Sequence, residues 1–405
     1  MKTVLIIPAL YLLFYSSYWL FLTIIGVRFG KRKKYKNTRS QPQLLLILPA
    51  YKPGRIFSRV LDHVEEAIRG RNIQVFVLLQ DIGEYDPTAY ALNKGFHVKI
   101  KSFSNRAGNS YQHALQYITH IIYDWRIEGR WNPDFVMLLD KDNLIEPDFF
   151  ESIPSRLYDQ YDIIQGRRRP LPTRTAVGFF DTVSEALNDV MFRSAKKKLG
   201  FMVEISGSGA LIETDIFLNV ISKLNPEAPG FDKNFMAHLL MERRNIRSIY
   251  WPASKIFEEK TTDLEAHNPQ RLRWFGEQYY NALYHARDLV ASAFRYRRLA
   301  AFDYLLTLWR PPRSLQVVIT PMLALAELIG YILTHTWYFG FPLLTISAIC
   351  TGLAVLVFLI TEKLLWKALS YSLDLPRLAI HNAWNAARSI RKENLGKFVH
   401  TTHKL

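Results

Sequence analysis

Cysteine is nearly absent from this sequence. Its one thiol, Cys350, lies in an apolar stretch, which excludes a disulfide framework and a thiolate metal site and fits a reducing compartment. Acidic residues are scarce beside basic ones, 36 against 52, and the resulting formal charge of +16 raises nucleic acid as a partner. The placement of the charge points elsewhere. Residues 4–27 carry none, and directly after them come Arg28, Lys31, Arg32, Lys33, Lys34, Lys36 and Arg39, against Lys2 alone before them. A charge-free run of that length crosses a hydrocarbon core of about 30 Å at about 1.5 Å per residue. It is too long for a signal-peptide core and lacks a small-residue cleavage site, so residues 1–27 read as a retained anchor. The basic linker 28–42 then stays in the cytoplasm, and topology and anionic lipid account for the charge without nucleic acid.

What is present is apolar and aromatic. At 49% hydrophobic and 14% aromatic, 405 residues fill one large domain or two. From Gln43 to about Tyr250 short apolar runs alternate with helical stretches, the pattern of an α/β fold with a mostly parallel sheet. Strands are predicted at 44–48, 74–79, 97–102 and 135–139, with helices at 56–69 and from Tyr111 to Tyr123. The fourth strand ends in Asp140-Lys141-Asp142. Two carboxylates at a strand's C-terminal end suit a hard divalent cation that bridges phosphate oxygens, although acids are also common in plain turns. Three strand ends in a row place polar loops on one edge, where a nucleotide binds.

Several ordered motifs share this stretch. Leu48-Pro49-Ala50-Tyr51, Gln80-Asp81-Ile82-Gly83, Arg106-Ala107-Gly108-Asn109, Asp140-Lys141-Asp142, Ser206-Gly207-Ser208-Gly209 and Gln270-Arg271-Leu272-Arg273-Trp274 follow one another between Leu44 and Trp274. Together they resemble the GT-A, Rossmann-like catalytic domain of membrane-embedded family 2 glycosyltransferases, the branch that includes cellulose and hyaluronan synthases. Two positions depart from that pattern. Gln80 replaces one acid of the usual pair, and Phe231 stands where the family has the Glu of a Glu-Asp pair.

The resemblance implies roles. Tyr51, Asp81, Arg106, Asn109, Asp140 and Arg273 would bind the nucleotide-sugar donor, with Tyr51 stacking on the base and Asp81 accepting a hydrogen bond. Asp142 with Asp140 would hold Mg²⁺ or Mn²⁺ and neutralise the departing diphosphate. Asp232 would be the general base, a helix N-cap being the plainer reading of the same residue. Gly207, Gly209, Gln270 and Trp274 would meet the acceptor, Trp274 sharing a helix face with Gln270. His238 reads as a packing or surface residue. The basic stretch Gly166-Arg167-Arg168-Arg169-Pro170 reads as a loop, for a diphosphate, an anionic lipid or solvent.

Beyond Trp274 the chain becomes membrane-proximal. A catalytic domain over 43–295 is followed by an interface helix region at 296–313, broken at Arg310-Pro311-Pro312-Arg313. Two transmembrane helices follow in 314–362, and a basic cytoplasmic tail in 363–405. That gives three spans, N-terminus outside, in a multi-pass protein of the inner membrane. Glu327, inside a span, is an intramembrane carboxylate that invites a functional test.

The expected activity is inverting transfer from a UDP-sugar at the cytoplasmic face to a growing polysaccharide. The open alternatives are a lipid or lipid-linked acceptor, and an inactive nucleotide-binding scaffold. Three spans are fewer than a polymer pore needs, so secretion would call for a homo-oligomer or partner subunits. Membrane lipids are expected partners in every case.

Overall fold

Leu44 to Leu48 are apolar without interruption because both faces of their strand are covered. In the computed structural model, which describes residues 2–27, 42–103, 110–172, 174–242, 245–258 and 264–391, eight strands form one sheet. They are β1 (Leu44–Tyr51), β2 (Ile73–Gln80), β3 (His97–Ile100), β4 (Phe135–Leu138), β5 (Leu144–Ile145), β6 (Ile163–Pro170), β7 (Ala210–Glu213) and β8 (Ser248–Glu258). Their spatial order is β3-β2-β1-β4-β7-β6-β8-β5. The first four pair in parallel. β7 runs antiparallel to both β4 and β6, and the sheet ends in a parallel β6–β8 pair with β5 antiparallel to β8. The α/β architecture expected from the sequence holds, with its antiparallel ladders confined to the half beyond β4.

Side chains that alternate along β1 and β2 feed two cores. Leu45, Ile47, Phe76 and Leu78 pack under the helices Tyr111–Ile127 and Phe231–Met241. Leu44, Leu46, Val75 and Val77 pack against Phe57, Leu61 and Val64 of the helix Ile56–Ile68. That helix carries its apolar residues at three- and four-residue spacing, so one face is buried and the other is wet.

Among the described residues, three helices are long and apolar enough to cross a membrane: Leu5–Val27, Arg313–Thr334 and Leu343–Thr361. A third core joins them to the catalytic half. Trp19 and Leu22 of the first and Ala354 and Phe358 of the last pack on Val190, Met191 and Phe192. These last residues lie in a π-helical stretch, Asp189–Ala195, that continues the helix Ala176–Asn188. Gly26 permits the contact, since a Cβ there would stand 2.2 Å from the Val190 carbonyl oxygen. Lys198 Nζ closes the same junction by donating to the Ile25 and Gly26 carbonyls at 2.8 and 3.0 Å, satisfying the open end of the first span.

Two membrane-side segments pack against the rest of the protein. The helix Leu299–Leu308 buries Ala301, Tyr304, Leu305 and Leu308, so most of its apolar surface packs inside the protein. The C-terminal segment also folds back: in the helix Leu375–Ser389, Asn385 donates to Asn268 at 3.1 Å and Asn382 to Ser314 at 2.9 Å. Its Ile380 and Trp384, with Trp366 and Leu369 just before it, remain exposed as an apolar face. Glu327 is explained by backbone chemistry. Its carboxylate accepts from the N–H and the hydroxyl of Thr345, both at 2.9 Å, and so caps the first turn of the last span.

Candidate active site

The site is built where β4 stops. Leu139 N–H still pairs with the Ile47 carbonyl at 2.9 Å, and the chain then turns through Asp140 and Asp142. Asp140 is held by its neighbours: its N–H donates to Ser208 Oγ at 3.3 Å, and Asn143 Nδ2 donates to its carboxylate at 3.4 Å. Burial pushes the Asp140 carboxyl up to about 7, and the Asp142 carboxylate pushes the same way against the pull of the Arg168 guanidinium. Neighbouring carboxylates are a donor set that a hard cation stabilises, so Asp140 and Asp142 fit Mg²⁺ or Mn²⁺. Among the described residues no group of three or more His, Cys, Asp or Glu side chains converges.

Tyr51 is tied to this loop because Lys141 Nζ donates to its carbonyl at 2.5 Å. Asp81 stands at the next strand end in a left-handed conformation (φ 47°), its N–H donating to Ser102 Oγ at 3.1 Å. Gln80, the departure from the acidic pair, is buried and accepts from Ser110 Oγ at 2.9 Å. Arg106 and Asn109 lie outside the described residues. The strand ends carrying Tyr51, Asp81 and the two acids are thus brought to one edge of the sheet.

Beside them lies a cavity of about 670 Å³. Asp140, Arg168, Gly207, Asp232, Arg273 and Trp274 line it, so predicted residues far apart in sequence meet around one cavity. Tyr51, Asp81, Asp142, Gly209 and Gln270 do not line it. Gly209 serves close packing: it takes φ 76°, and a Cβ there would stand 2.9 Å from Ile256 Cδ1. Gln270 is half-buried, and its Oε1 has no hydrogen-bond partner among the described residues.

Asp232 opens the helix Phe231–Met241 behind Gly230, which holds φ 74° and approaches Glu277 so closely that a Cβ would stand 2.9 Å from the Glu277 Cβ. Lys233 Nζ is 3.3 Å from Asp232 and 3.6 Å from Glu277, and Arg273 Nε is 3.6 Å from the other Glu277 oxygen. Burial raises the Glu277 carboxyl, while Lys233 and Arg273 counter it. Glu277 is the residue that sequence reasoning missed. It lies one turn after Arg273 on the same helix, Leu264–Tyr284, and that i, i+4 spacing was its only signal.

Trp274 is covered by the Arg271 guanidinium, 4.5 Å from its ring centroid, and Arg271 is anchored by an ion pair to Asp181. His238 packs edge-on against His285 at 5.5 Å and does not line the cavity. The basic stretch after Gln165 is strand β6 rather than a loop. Arg167 pairs with Asp189 at 3.0 Å and Arg168 with Glu258, and these carboxylates neutralise the guanidiniums and let the chain run extended.

The family model for "Glycosyl transferase family group 2" matches residues 135–369. No curated protein matches the chain. Among solved structures, the mannosyltransferase PcManGT from Pyrobaculum calidifontis, in complex with GDP-Man and Mn²⁺, is similar at 13% identity and TM-score 0.52, over 91% of this chain and 99% of that one. S. aureus TarS aligns at 11% identity and TM-score 0.38, over 71% and 52%. The glucosyl-3-phosphoglycerate synthase of Mycobacterium tuberculosis aligns at 12% identity and TM-score 0.33, over 56% and 75%. The first likeness confirms the GT-A fold.

Proposed function

We propose, since the chain belongs to glycosyl transferase family group 2, that it transfers a sugar from a nucleoside-diphosphate donor to a lipid-linked acceptor arriving from the bilayer. One observation carries this reading. The cavity that holds Asp140 and Asp232 continues to Trp19, Val317, Val355, Phe358 and Leu359, apolar residues of all three candidate spans. All five lie in the halves of those helices nearest the sheet, so the cavity reaches into one leaflet and no further.

The catalytic domain over 43–295 then works at the cytoplasmic face, as the basic linker 28–42 implies. Tyr51, Asp81, Arg106 and Asn109 bind the nucleotide, and Arg273 adds positive charge near the diphosphate. Asp140 and Asp142 would hold a divalent cation, which would offset the charge that builds on the leaving diphosphate. The acceptor hydroxyl oxygen bonds to the anomeric carbon as that carbon's bond to the diphosphate oxygen breaks. The nucleoside diphosphate leaves with the electron pair, the acceptor proton passes to the Asp232 carboxylate, and one displacement inverts the anomeric centre. Trp274 and Gly207 border the acceptor.

A polymer product, as in the cellulose and hyaluronan synthases, is the second reading, favoured by Trp274 on the cavity wall within the Gln-x-x-Arg-Trp motif.

The test is nucleoside diphosphate release from purified protein in lipid, with a panel of UDP- and GDP-sugars and Mn²⁺ or Mg²⁺. Asp142→Asn and Asp232→Asn are run alongside, and the labelled product is extracted and sized. Sugar-specific release lost in both variants, with a lipid-extractable product, supports the proposal. A high-mass product favours the polymer. Nucleotide binding without turnover favours the inactive scaffold.

A further inference from the structure

Seven Lys and Arg side chains line the cavity among the described residues, and five of them face a carboxylate: Arg168, Arg193, Lys233, Arg271 and Arg273. Arg310 and Arg313 form no such close ion pair among the described residues, and the Glu204 and Glu185 carboxylates of the same cavity act on Arg313 only from farther off. Arg310 Nη1 donates to the Thr307 carbonyl at 2.7 Å. Arg313 Nη1 donates to the Ser184 carbonyl at 3.0 Å and Nη2 to the Asn188 side-chain oxygen. Both guanidiniums stack near the Phe192 ring, at 4.7 and 5.2 Å from its centroid. Two like charges are therefore fixed side by side by neutral acceptors and one aromatic ring.

Their place gives the pair meaning. Pro311 and Pro312 separate them, and Arg313 opens the second candidate span, so the pair stands where the polar cavity meets its apolar end. A partly desolvated pair of cations costs free energy unless an anion completes it. Paired guanidiniums present the planar donor forks that match phosphate oxygens.

We propose that Arg310 and Arg313 bind the phosphate through which the acceptor is joined to its lipid. The lipid chain then lies along Val317, Val355 and Phe358, and the sugar hydroxyl points toward Asp232. This rests on the lipid-linked acceptor reading and names its chemical class, a phosphate-linked glycolipid. The apolar end of the cavity matches a lipid chain, and the charge at its neck matches a phosphate.

The experiment uses the full chain in phosphatidylcholine nanodiscs. Retention of a polyprenyl diphosphate and of the polyprenol of equal length is titrated by native mass spectrometry. Inorganic pyrophosphate is the soluble arm, and nucleoside diphosphate binding reports the donor site and the fold. The variants are R310Q/R313Q, the conservative R310K/R313K, and R377Q, which removes an exposed charge outside the cavity.

The wild type is expected to hold the diphosphate lipid about ten- to hundredfold more tightly than the polyprenol, as charge-assisted hydrogen bonds give. That preference should vanish in R310Q/R313Q, return in part in R310K/R313K and persist in R377Q, with nucleoside diphosphate binding unchanged throughout. Equal retention of both lipids overturns the phosphate site while leaving a lipid acceptor standing. Retention of neither overturns the lipid-acceptor reading itself. Pyrophosphate binding as tightly as the lipid, or loss of nucleoside diphosphate binding in R310Q/R313Q, assigns the pair to free phosphate or donor and overturns the proposal.

Discussion

Lys233 Nζ stands 3.6 Å from Glu277 Oε2, and that contact joins the helix carrying Asp232 to the helix carrying Arg273 and Trp274. The bridge matters because Lys233 also touches Asp232. Its charge is shared between an acid facing the cavity and a largely buried acid on the neighbouring helix.

Replacing Glu277 by Gln keeps the shape and removes the charge. Lys233 then pairs with Asp232 alone and occupies an oxygen needed to accept the acceptor's proton. The expected result is a fall in kcat of about tenfold, equivalent to about 1.4 kcal/mol, with little change in donor KM. A steady-state comparison of Glu277→Gln with wild type decides it, and equal kcat values would place Glu277 in packing alone.

Stability should depend on pH through His285. It is buried, and its Nε2 is 2.9 Å from Asn234 Oδ1, so the neutral ring donates one hydrogen bond. Burial first and the nearby His238 second, against the opposing Asp288, lower it from 6.5 to about 4. Between those two values the unfolded chain binds the proton and the folded one does not, so stability rises with pH there. It is complete above about pH 6.5 and is lost progressively as the pH falls toward 4. Thermal melts in this window should show stability rising less with pH in His285→Gln than in wild type, a difference that stands apart from the opposite slope the raised Asp140 carboxyl gives both proteins. Identical slopes would exclude His285 as the group responsible.

The parallel half of the sheet was legible because β1, β2 and β4 hold apolar runs, interrupted only by Gln74 near the start of β2, that end in polar turns. The three candidate spans were legible for the same reason: long apolar segments carry their own signal. Strand β6 was not. Its Arg167 and Arg168 read as solvated charge, and only the fold supplies the carboxylates of Asp189 and Glu258 that let them run in a sheet. Asp140, Asp232 and Trp274 were nameable from motif order, whereas Glu277, Arg310 and Arg313 gain meaning only from what packs beside them. Gly209 shows the converse, since it belongs to a motif and yet serves backbone packing.

Glu327 should prove structural. Its carboxylate caps the last span through Thr345, and a neutral amide oxygen can accept from the same N–H. Glu327→Gln is expected to retain activity and melt close to wild type. Glu327→Leu removes the cap and should cost about 1 kcal/mol of stability, again with activity retained. Loss of turnover in Glu327→Gln at an unchanged melting temperature would instead require a chemical role for the carboxylate.

Lys196 and Asp303 form the buried ion pair that ties the π-helical stretch to the helix before the second span. Lys196 Nζ is 2.9 Å from Asp303 Oδ2 and donates to Thr307 Oγ1 at 2.7 Å, while Tyr18 of the first span donates to the other Asp303 oxygen. Their side chains are 1% and 8% exposed, so removing one leaves the other charge stranded away from water. Lys196→Met should therefore cost about 3–5 kcal/mol. Removing both charges, in Lys196→Met with Asp303→Leu, should cost clearly less than the single change, because no unpaired charge then remains. The double-mutant cycle on the protein in lipid reads this directly. If the two losses simply add, the pair holds the junction by packing, and its charges do not contribute.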